Sequence, residues 1–225
     1  MERLELAGLT TRIVGDGPVT CVLLHGFGAP GDDLVPLADH LAARCVFPEA
    51  PLELAGIYGD ARAWWLLDLA RLELELASGT PRDRRGEVPE GLPAARDHVM
   101  RLLDQVQARL GVDDAHLVVG GFSQGAMVAL DVALHRERPV AGVVVMSGTL
   151  LAESEWRPRM SKLAGVPVLQ SHGRRDPLLP FSIAEVLRDQ LKAAGADVEW
   201  HDFIGGHEIP PVVLDALARF VAART

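Results

Sequence analysis

Apolar and polar positions divide the chain into short buried strands and amphipathic helices. Residues 19–24 are apolar at nearly every position, which predicts a strand buried on both faces. Residues 93–110 instead carry apolar side chains at helical spacing and stop at Gly111, which predicts a helix with a glycine end. Because strands and helices alternate throughout the chain, the pattern predicts an α/β fold with a mostly parallel central sheet and helices on both faces.

The same two patterns predict the other elements. Strands are expected where short apolar runs lie between turn residues: 11–14, 45–47, 117–119, 140–146 and 166–170. A last strand is expected at 197–203. Helices are expected where the period is helical: 34–43, capped by Asp32-Asp33, then 69–76, 126–135, 155–163, 182–194 and 210–223. The chain has no internal repeat, and residues 1–225 are expected to form a single domain.

The segment 52–92 is an exception, because it is rich in glycine and proline and shows neither period. It contains the run Trp64-Trp65-Leu66-Leu67. Adjacent tryptophans in a loop-rich segment either cover the edge of the core or line an apolar substrate pocket, and the pattern leaves both interpretations open.

One strand-to-helix junction carries a chemical signal. After the apolar run 117–119 comes Gly121-Phe122-Ser123-Gln124-Gly125, a G-x-S-x-G pattern, followed by a helix rich in small residues. In such a turn the serine adopts a strained conformation, and glycine two residues before and after it lets strand and helix approach. The N–H groups at the helix start can stabilise an oxyanion. The bare pattern also fits an ordinary turn serine, so the rest of the chain has to decide.

Composition and charge exclude several kinds of function. The chain has 225 residues, 48% of them hydrophobic, and a net charge of −9. Basic residues are concentrated only in a short run within the charged stretch 80–90, which is expected to be a surface loop, so no nucleic-acid partner is expected. No apolar stretch approaches the length of a membrane span and the first residues are charged. A cytoplasmic protein without a transmembrane segment is therefore expected.

The two cysteines, Cys21 and Cys45, each lie at the start of a predicted strand. This is not the cysteine usage of a disulfide-dependent secreted domain, so buried reduced thiols are expected. A bridge between the thiols is the alternative if the two strands are neighbours.

Ser123, Asp176 and His207 follow predicted strands, so they can meet at the carboxyl edge of a parallel sheet. Their chain order is that of an α/β-hydrolase catalytic triad. In that arrangement Ser123 attacks the acyl carbonyl, His207 takes up its proton, and Asp176 orients the imidazole and stabilises its charge. The backbone N–H groups of Phe27, in a glycine-rich loop, and of Gln124 are the expected oxyanion donors.

Other residues could take two of these roles. His172 also follows a predicted strand and is the rival base, whereas His25 is expected to shape its own loop. Asp176 could instead begin a turn. The rival acids, Asp202 and Asp197, lie on or at the edge of a predicted strand, which favours Asp176.

Several short motifs occur in order along residues 19–222: His25-Gly26-Phe27-Gly28, Pro48-Glu49-Ala50-Pro51, Arg62-Ala63-Trp64-Trp65, Gly121-Phe122-Ser123-Gln124-Gly125-Ala126, His172-Gly173-Arg174-Arg175-Asp176 and Gly206-His207-Glu208-Ile209. In this combination the chain resembles the phospholipase/carboxylesterase family of α/β-hydrolases, which includes acyl-protein thioesterases and small bacterial carboxylesterases. The resemblance implies a compact hydrolase of esters or thioesters, without a large cap domain and independent of metals and cofactors. It also implies an acyl site near Trp64, Trp65, Leu66 and Leu67.

The function expected from these residues is that of a serine carboxylesterase, which cleaves esters of small to medium acyl chains through an acyl-enzyme. Its partner would be a small-molecule ester or thioester substrate. An acyl thioesterase or a lysophospholipase is the alternative, and the apolar residues 64–67 would suit its longer chain. A non-catalytic binding module on a hydrolase scaffold is a further alternative. Such modules commonly lack a triad member, whereas all three candidates are present here.

Overall fold

The computed structural model of the protein describes residues 1–54, 59–78 and 83–224. Its strands are β1 (Glu2–Leu6), β2 (Leu9–Val14), β3 (Thr20–Leu24), β4 (Arg44–Pro48), β5 (Leu52–Glu53), β6 (Arg62–Ala63), β7 (Leu117–Phe122), β8 (Gly142–Met146), β9 (Pro167–Gly173) and β10 (Asp197–Phe203). Its α-helices are α1 (Leu69–Ser78), α2 (Leu92–Leu110), α3 (Gln124–His135), α4 (Glu153–Trp156), α5 (Phe181–Ala193) and α6 (Pro211–Ala222). Shorter 3-10 helices span Val35–His40, Asp114–His116 and Arg157–Leu163. Most of the predicted elements are thereby confirmed, with small shifts at their ends. The helix predicted at 155–163 differs in type, because the α-helix ends at Trp156 and a 3-10 helix continues to Leu163.

An eight-stranded mixed sheet runs through the molecule in the order β1-β2-β4-β3-β7-β8-β9-β10. From β4 to β10 each neighbouring pair is parallel, whereas β1 with β2 and β2 with β4 are antiparallel. Because parallel strands end at the same edge, the loops after β3, β7, β9 and β10 leave the sheet together. The predicted α/β fold with a mostly parallel sheet is confirmed.

Helices cover both faces of this sheet, as predicted, and each face has its own apolar core. Helices α2, α3 and α5 pack on the face where Val143 and Val145 of β8 lie. Helix α6 and the 3-10 helix Val35–His40 pack on the opposite face, where Val144 and Met146 lie. Side chains that alternate along β8 therefore enter different cores, which explains why a strand buried on both faces is apolar at every position.

The amino-terminal edge of the sheet is a β-hairpin. The hydropathy pattern gives no prediction for β1, which pairs with β2 from Glu2 opposite Ile13 to Leu6 opposite Leu9. The expectation that strands and helices alternate throughout the chain is therefore wrong at this end. An edge hairpin needs only one buried face, so β1 keeps a few apolar side chains among charged ones.

The predicted helix 34–43 is wrong in type and in length. Residues Val35–His40 form a 3-10 helix without a side-chain cap, so the expected capping by Asp32-Asp33 does not occur. Leu41 is already extended, with φ −110° and ψ 123°, and its side chain is buried. Because the chain straightens at Leu41 to enter β4, the helix ends before the predicted boundary at residue 43.

Cys21 of β3 and Cys45 of β4 are direct neighbours across a parallel strand pair. Both residues are buried and both thiols are free. The predicted role of these residues as reduced thiols in the core is confirmed, and the alternative of a bridge is not realised.

The irregular segment 52–92 contains the ribbon of β5 and β6 and the helix α1, which confirms the helix predicted at 69–76. Residues 55–58 and 79–82 of this segment, which include the start of the predicted surface loop 80–90, lie outside the described residues. No helix in the described part of the chain is long and apolar enough to cross a membrane.

Candidate active site

Ser123 lies at a sharp turn between β7 and α3. Its backbone has φ 54° and ψ −119°, a strained conformation for a residue other than glycine. The turn is tied to β8, because the Ser123 amide donates to the carbonyl oxygen of Met146 at 2.8 Å. Helix α3 begins at the next residue, so N–H groups without a partner inside the helix lie beside the serine.

The two glycines of the motif allow close approach to β3. A Cβ on Gly121 would lie 2.3 Å from the carbonyl oxygen of Leu24, and a Cβ on Gly125 would lie 2.1 Å from the same atom. The obstacle is backbone in both cases, so a side chain could fit only if a strand or the helix moved. Glycine is therefore required on both sides of Ser123 for packing.

His207 and Asp176 form a hydrogen-bonded pair. Nδ1 of the imidazole lies 2.7 Å from Oδ2 of the carboxylate, and because a carboxylate only accepts, Nδ1 carries the proton. The other oxygen, Oδ1, accepts from the amides of Leu178 at 2.8 Å and Leu179 at 2.9 Å. The acid is thus held through both oxygens, and Nε2 of a neutral His207 is left as an acceptor.

The charge of Asp176 is maintained although its side chain is fully buried. Burial alone raises the pKa of the carboxyl, but the hydrogen bond and charge of His207 and the amides of Leu178 and Leu179 outweigh it, so the pKa is lowered. The ring of His207 also packs against Phe122, with ring centroids 4.8 Å apart. The acid is therefore ionised at neutral pH, and the imidazole beside it is fixed in position.

A single cavity is lined by Ser123, His207, Phe27 and Gln124. Asp176 is buried behind His207, to which it is hydrogen-bonded. The structure therefore brings all the predicted triad and oxyanion residues to one place.

The rival histidines lie elsewhere. His172 is fully buried, is not among the described residues that line the cavity, and lies with Nε2 2.9 Å from the carbonyl oxygen of Leu179. His25 donates from Nδ1 to the carbonyl oxygen of Gly26 at 2.8 Å and accepts from the amide of Ala50 at 3.0 Å. Burial lowers the pKa of both imidazoles. Neither ring is among the described residues that line the cavity beside Ser123.

The rival acids are also separate from the cavity. Asp202 pairs with Arg174, and Asp197 is the first residue of β10, at the opposite edge of the sheet from His207. In the described ranges, no group of three or more His, Cys, Asp or Glu side chains is placed to hold a metal ion.

The expected oxyanion donors are accessible amides on well-fixed backbone. The amides of Phe27 and Gln124 have no acceptor within the part of the chain that the structure describes. The loop of Phe27 is held by β6, because the Gly28 amide donates to the carbonyl oxygen of Arg62 at 2.8 Å and the Arg62 amide donates to that of Ala29 at 3.0 Å. Both residues therefore carry an unpaired backbone N–H group, within the described ranges, beside the cavity that they line.

The side chain of Gln124 has a structural role that the sequence did not indicate. Its Oε1 accepts from the amide of Trp64 at 2.9 Å, and its Nε2 donates to the carbonyl oxygen of Trp65 at 2.9 Å. The indole of Trp64 in turn donates to the carbonyl oxygen of His25 at 2.9 Å. The turn at Ser123, the tryptophan segment and the loop of Phe27 are thus one hydrogen-bonded unit.

A cavity of about 390 Å³ adjoins Ser123. Trp65, Leu66 and Leu67 line it, as predicted, but Trp64 does not. The side chain of Trp64 is buried against His25 instead, because side chains of consecutive residues point in different directions and only one indole can reach the cavity. The tryptophan pair therefore covers the core edge with one ring and lines the cavity with the other.

Much of the remaining lining comes from residues without a sequence signal of their own. The apolar part includes Met127, Leu150, Leu151, Leu178 and Leu179, and the charged part includes Asp68, Arg71, Arg84, Glu87 and Glu90. For Leu178 and Leu179, the available signal was their position two and three residues after the predicted acid. Part of the predicted surface loop 80–90 thus forms a wall of the cavity.

Comparison with known proteins gives the same picture. A family model described as phospholipase/carboxylesterase matches residues 17–225. Acyl-protein thioesterase 1 of Gibberella zeae is 25% identical over 228 residues, which cover 96% of this chain and 95% of that protein. Acyl-protein thioesterase 1 of Neurospora crassa is 26% identical over 219 residues, which cover 91% and 86% of the two chains.

Solved structures share the fold. The esterase PE8 aligns with a TM-score of 0.80 at 27% identity, covering 96% of this chain and 99% of that one. The carboxylesterase of Bacillus cereus aligns with a TM-score of 0.72 at 19% identity, covering 96% and 95%. The likeness therefore extends over nearly the whole chain.

Proposed function

Since the chain belongs to the phospholipase/carboxylesterase family, we propose that it is a serine hydrolase that cleaves carboxylic esters of small to medium acyl chains. The observation that carries the proposal is the 2.7 Å hydrogen bond between His207 and Asp176, beside a cavity that Ser123 also lines. This arrangement supplies a nucleophile, a base with a free Nε2 and a charged group that orients the base.

Acylation begins when Nε2 of His207 takes the hydroxyl proton of Ser123 and Oγ forms a bond to the acyl carbon. The amides of Phe27 and Gln124 stabilise the negative charge on the carbonyl oxygen. When this intermediate collapses, the bond from the acyl carbon to the leaving oxygen breaks, and the leaving alcohol receives the proton from His207. The acyl group stays on Ser123.

Deacylation repeats these steps with water. His207 takes one proton from the water, whose oxygen attacks the acyl carbon, and returns the proton to Oγ of Ser123 as the carboxylic acid leaves. In both halves of the reaction His207 is transiently positive. The ionised carboxylate of Asp176 stabilises that charge and keeps the proton on Nδ1.

The cavity limits the acyl group. A volume of about 390 Å³ lies near the lower end of the range for small-molecule sites, and apolar side chains such as Trp65, Leu67 and Leu151 line it. An unbranched acyl chain of small to medium length fits this description.

An acyl thioesterase is the second candidate. It is favoured by the relatives from Gibberella zeae and Neurospora crassa, which are named acyl-protein thioesterases and match over most of this chain. Esters and thioesters of the same acyl chain give the same acyl-enzyme, so only the acylation step distinguishes them. Comparing kcat/KM for an ester and a thioester with identical acyl chains decides between the two candidates.

The proposal is tested by Ser123→Ala. We expect hydrolysis of a short-chain ester to fall by about 10⁴-fold or more, because the nucleophile is lost. Labelling of Ser123 by a fluorophosphonate, located by mass spectrometry, should require His207 as well. The matched control is Ser161→Ala, which removes an exposed hydroxyl on the 3-10 helix Arg157–Leu163. It should change neither the rate of ester hydrolysis nor the labelling of Ser123. Undiminished hydrolysis by Ser123→Ala would refute the proposal.

A further inference from the structure

A second imidazole lies against the acid of the site. His172, on β9, has a fully buried side chain, and its Nε2 lies 2.9 Å from the carbonyl oxygen of Leu179 and 3.4 Å from Oδ2 of Asp176. Because a carbonyl oxygen only accepts hydrogen bonds, Nε2 of His172 carries a proton. The proposed reaction assigns no role to this group.

The carboxylate of Asp176 is therefore surrounded by N–H groups. Oδ2 lies near Nδ1 of His207 at 2.7 Å and near Nε2 of His172 at 3.4 Å. Oδ1 accepts from the amides of Leu178 and Leu179. The carbonyl of Leu179 binds His172, so the imidazole contacts both the acid and the turn whose amides hold the acid.

The charge state of His172 suits this position. Burial lowers its pKa, so the ring is neutral at neutral pH. A neutral imidazole beside the carboxylate does not cancel its charge. The negative charge of Asp176 thus remains available to His207, which needs it when the imidazole becomes positive.

We propose that His172 is a positioning residue, whose Nε2–H holds the carbonyl of Leu179 and thereby places the turn whose amides fix the Asp176 carboxylate. The inference rests on the proposed function, because it assumes that Asp176 orients His207. Without the Nε2–H group the turn at Leu179 would lose its bond to β9. The carboxylate would then be held less rigidly, and His207 would spend less time with its Nε2 directed at the serine hydroxyl.

The test compares two substitutions of His172. His172→Leu removes the donor and keeps an apolar group of similar size, whereas His172→Gln can place an amide nitrogen close to the former position of Nε2. We expect kcat of His172→Leu to fall at least about tenfold with KM changed by less than about twofold, as for one lost buried hydrogen bond that acts on the catalytic step. His172→Gln should recover most of that loss. The rate of fluorophosphonate labelling at Ser123 should follow kcat, since it reports the activated nucleophile without the acyl site.

Two controls accompany the test. His116→Leu and His116→Gln change an exposed imidazole, with 51% of its side chain accessible, and should leave kcat unchanged. Ser123→Ala is measured in parallel, so that failure of the proposed function is recognised separately from failure of this inference. If His172→Leu does not fold, His172→Asn replaces it, because the shorter amide cannot reach Leu179 and should show the same loss.

Wild-type kcat in His172→Leu or His172→Asn would overturn the inference. So would a folded His172→Gln with the same loss as His172→Leu, because the donor would then not be the relevant feature. A rise in KM that is equal in His172→Leu and His172→Gln, with kcat unchanged in both, would indicate a structural effect on the neighbouring cavity wall. That result would also overturn the inference.

Discussion

The side-chain oxygen of Gln124 lies 2.9 Å from the backbone nitrogen of Trp64, so the residue that follows Ser123 holds the segment that begins the cavity wall. The same side chain donates to the carbonyl of Trp65, whose ring lines the cavity. Two backbone groups that would otherwise be buried without partners are satisfied by one amide. The position of the wall relative to the serine is thereby fixed.

Gln124→Leu should therefore change both stability and selectivity. The substitution leaves the Trp64 amide and the Trp65 carbonyl unpaired, and we expect the free energy of unfolding to fall by about 2 kcal/mol or more. Displacement of the wall should raise KM for the longer acyl esters more than for acetate esters. Urea unfolding and a series of esters of increasing chain length measure the two effects.

The matched control for this substitution is Gln170→Leu. Gln170 is also buried, and it donates to the carbonyl of Ala184 at 2.9 Å, outside the described cavity lining. It should lower stability without altering the chain-length preference. An unchanged preference in Gln124→Leu would show that the wall does not depend on this amide.

Gly125→Ala should abolish the native turn. Its Cβ would lie 2.1 Å from the backbone oxygen of Leu24, which belongs to a central strand and cannot move away cheaply. We expect little soluble protein, or a folded protein with at least about a hundredfold lower kcat, because a displaced helix start misplaces the Gln124 amide. The control is Gly86→Ala, where a Cβ meets no atom within 4 Å and φ is ordinary. Full activity of Gly125→Ala would contradict the packing argument.

Asp176→Asn should lower kcat by about 10⁴-fold while leaving KM nearly unchanged. The amide nitrogen of Asn can donate to Nδ1 of His207, which would move the proton to Nε2 and leave no acceptor for the serine proton. The measurement is steady-state kinetics on a short-chain ester, with Asp202→Asn as the control, since Asp202 pairs with Arg174 and not with His207. Comparable losses in both variants would argue against a specific role for Asp176.

Asp176 should also make stability depend on pH in the acid range. Its pKa in the folded protein is lowered, so the unfolded chain, with a pKa of about 3.9, binds the proton more tightly. The stabilisation is fully present above that value and is lost as pH falls through the folded-state pKa. Urea titrations from about pH 6 to pH 3 should show the difference between wild type and Asp176→Asn shrinking towards acid, whereas Asp215→Asn, an exposed site on α6, should follow wild type. A difference that does not vary with pH would contradict this.

Asp131 should be a major determinant of stability away from the cavity. It is fully buried in α3, where it accepts from the indole of Trp156 at 2.7 Å and from Arg96 at 3.0 Å. Asp131→Ala leaves Arg96 largely buried without this partner, and we expect a loss of about 3–5 kcal/mol in the free energy of unfolding. Asp104→Ala, at an exposed position of α2, should have little effect. A loss in Asp131→Ala as small as that in Asp104→Ala would contradict the importance of this ion pair.

The parts of the fold that could be predicted are those with local causes. The turn at Ser123 is specified by two glycines with a packing role, and the strand Gly142–Met146 by its own apolar run. The helix predicted at 34–43 was wrong because the chain becomes extended at Leu41 to enter β4, and the helical spacing of apolar residues does not indicate where this happens. In this segment, local period indicates that a helix is present but neither its type nor the point at which it ends.

The candidate site shows the same division. Ser123, Asp176 and His207 could be predicted because each follows a strand and the edge of a parallel sheet brings such residues together. The hydrogen bonds of Gln124 to Trp64 and Trp65 could not, since they join distant parts of the chain. For the same reason, only the structure distinguishes Trp64, buried against His25, from Trp65 in the cavity.

The neighbouring cysteines of β3 and β4 provide a natural probe for unfolding of the central sheet. Burial raises the pKa of the Cys21 thiol well above its ordinary value and that of Cys45 to about 12. Because thiol reagents react with the thiolate, both sulfurs are protected while the sheet is closed. The rate at which an alkylating reagent modifies the two thiols therefore measures how often the sheet opens at β3 and β4. This measurement needs no engineered label.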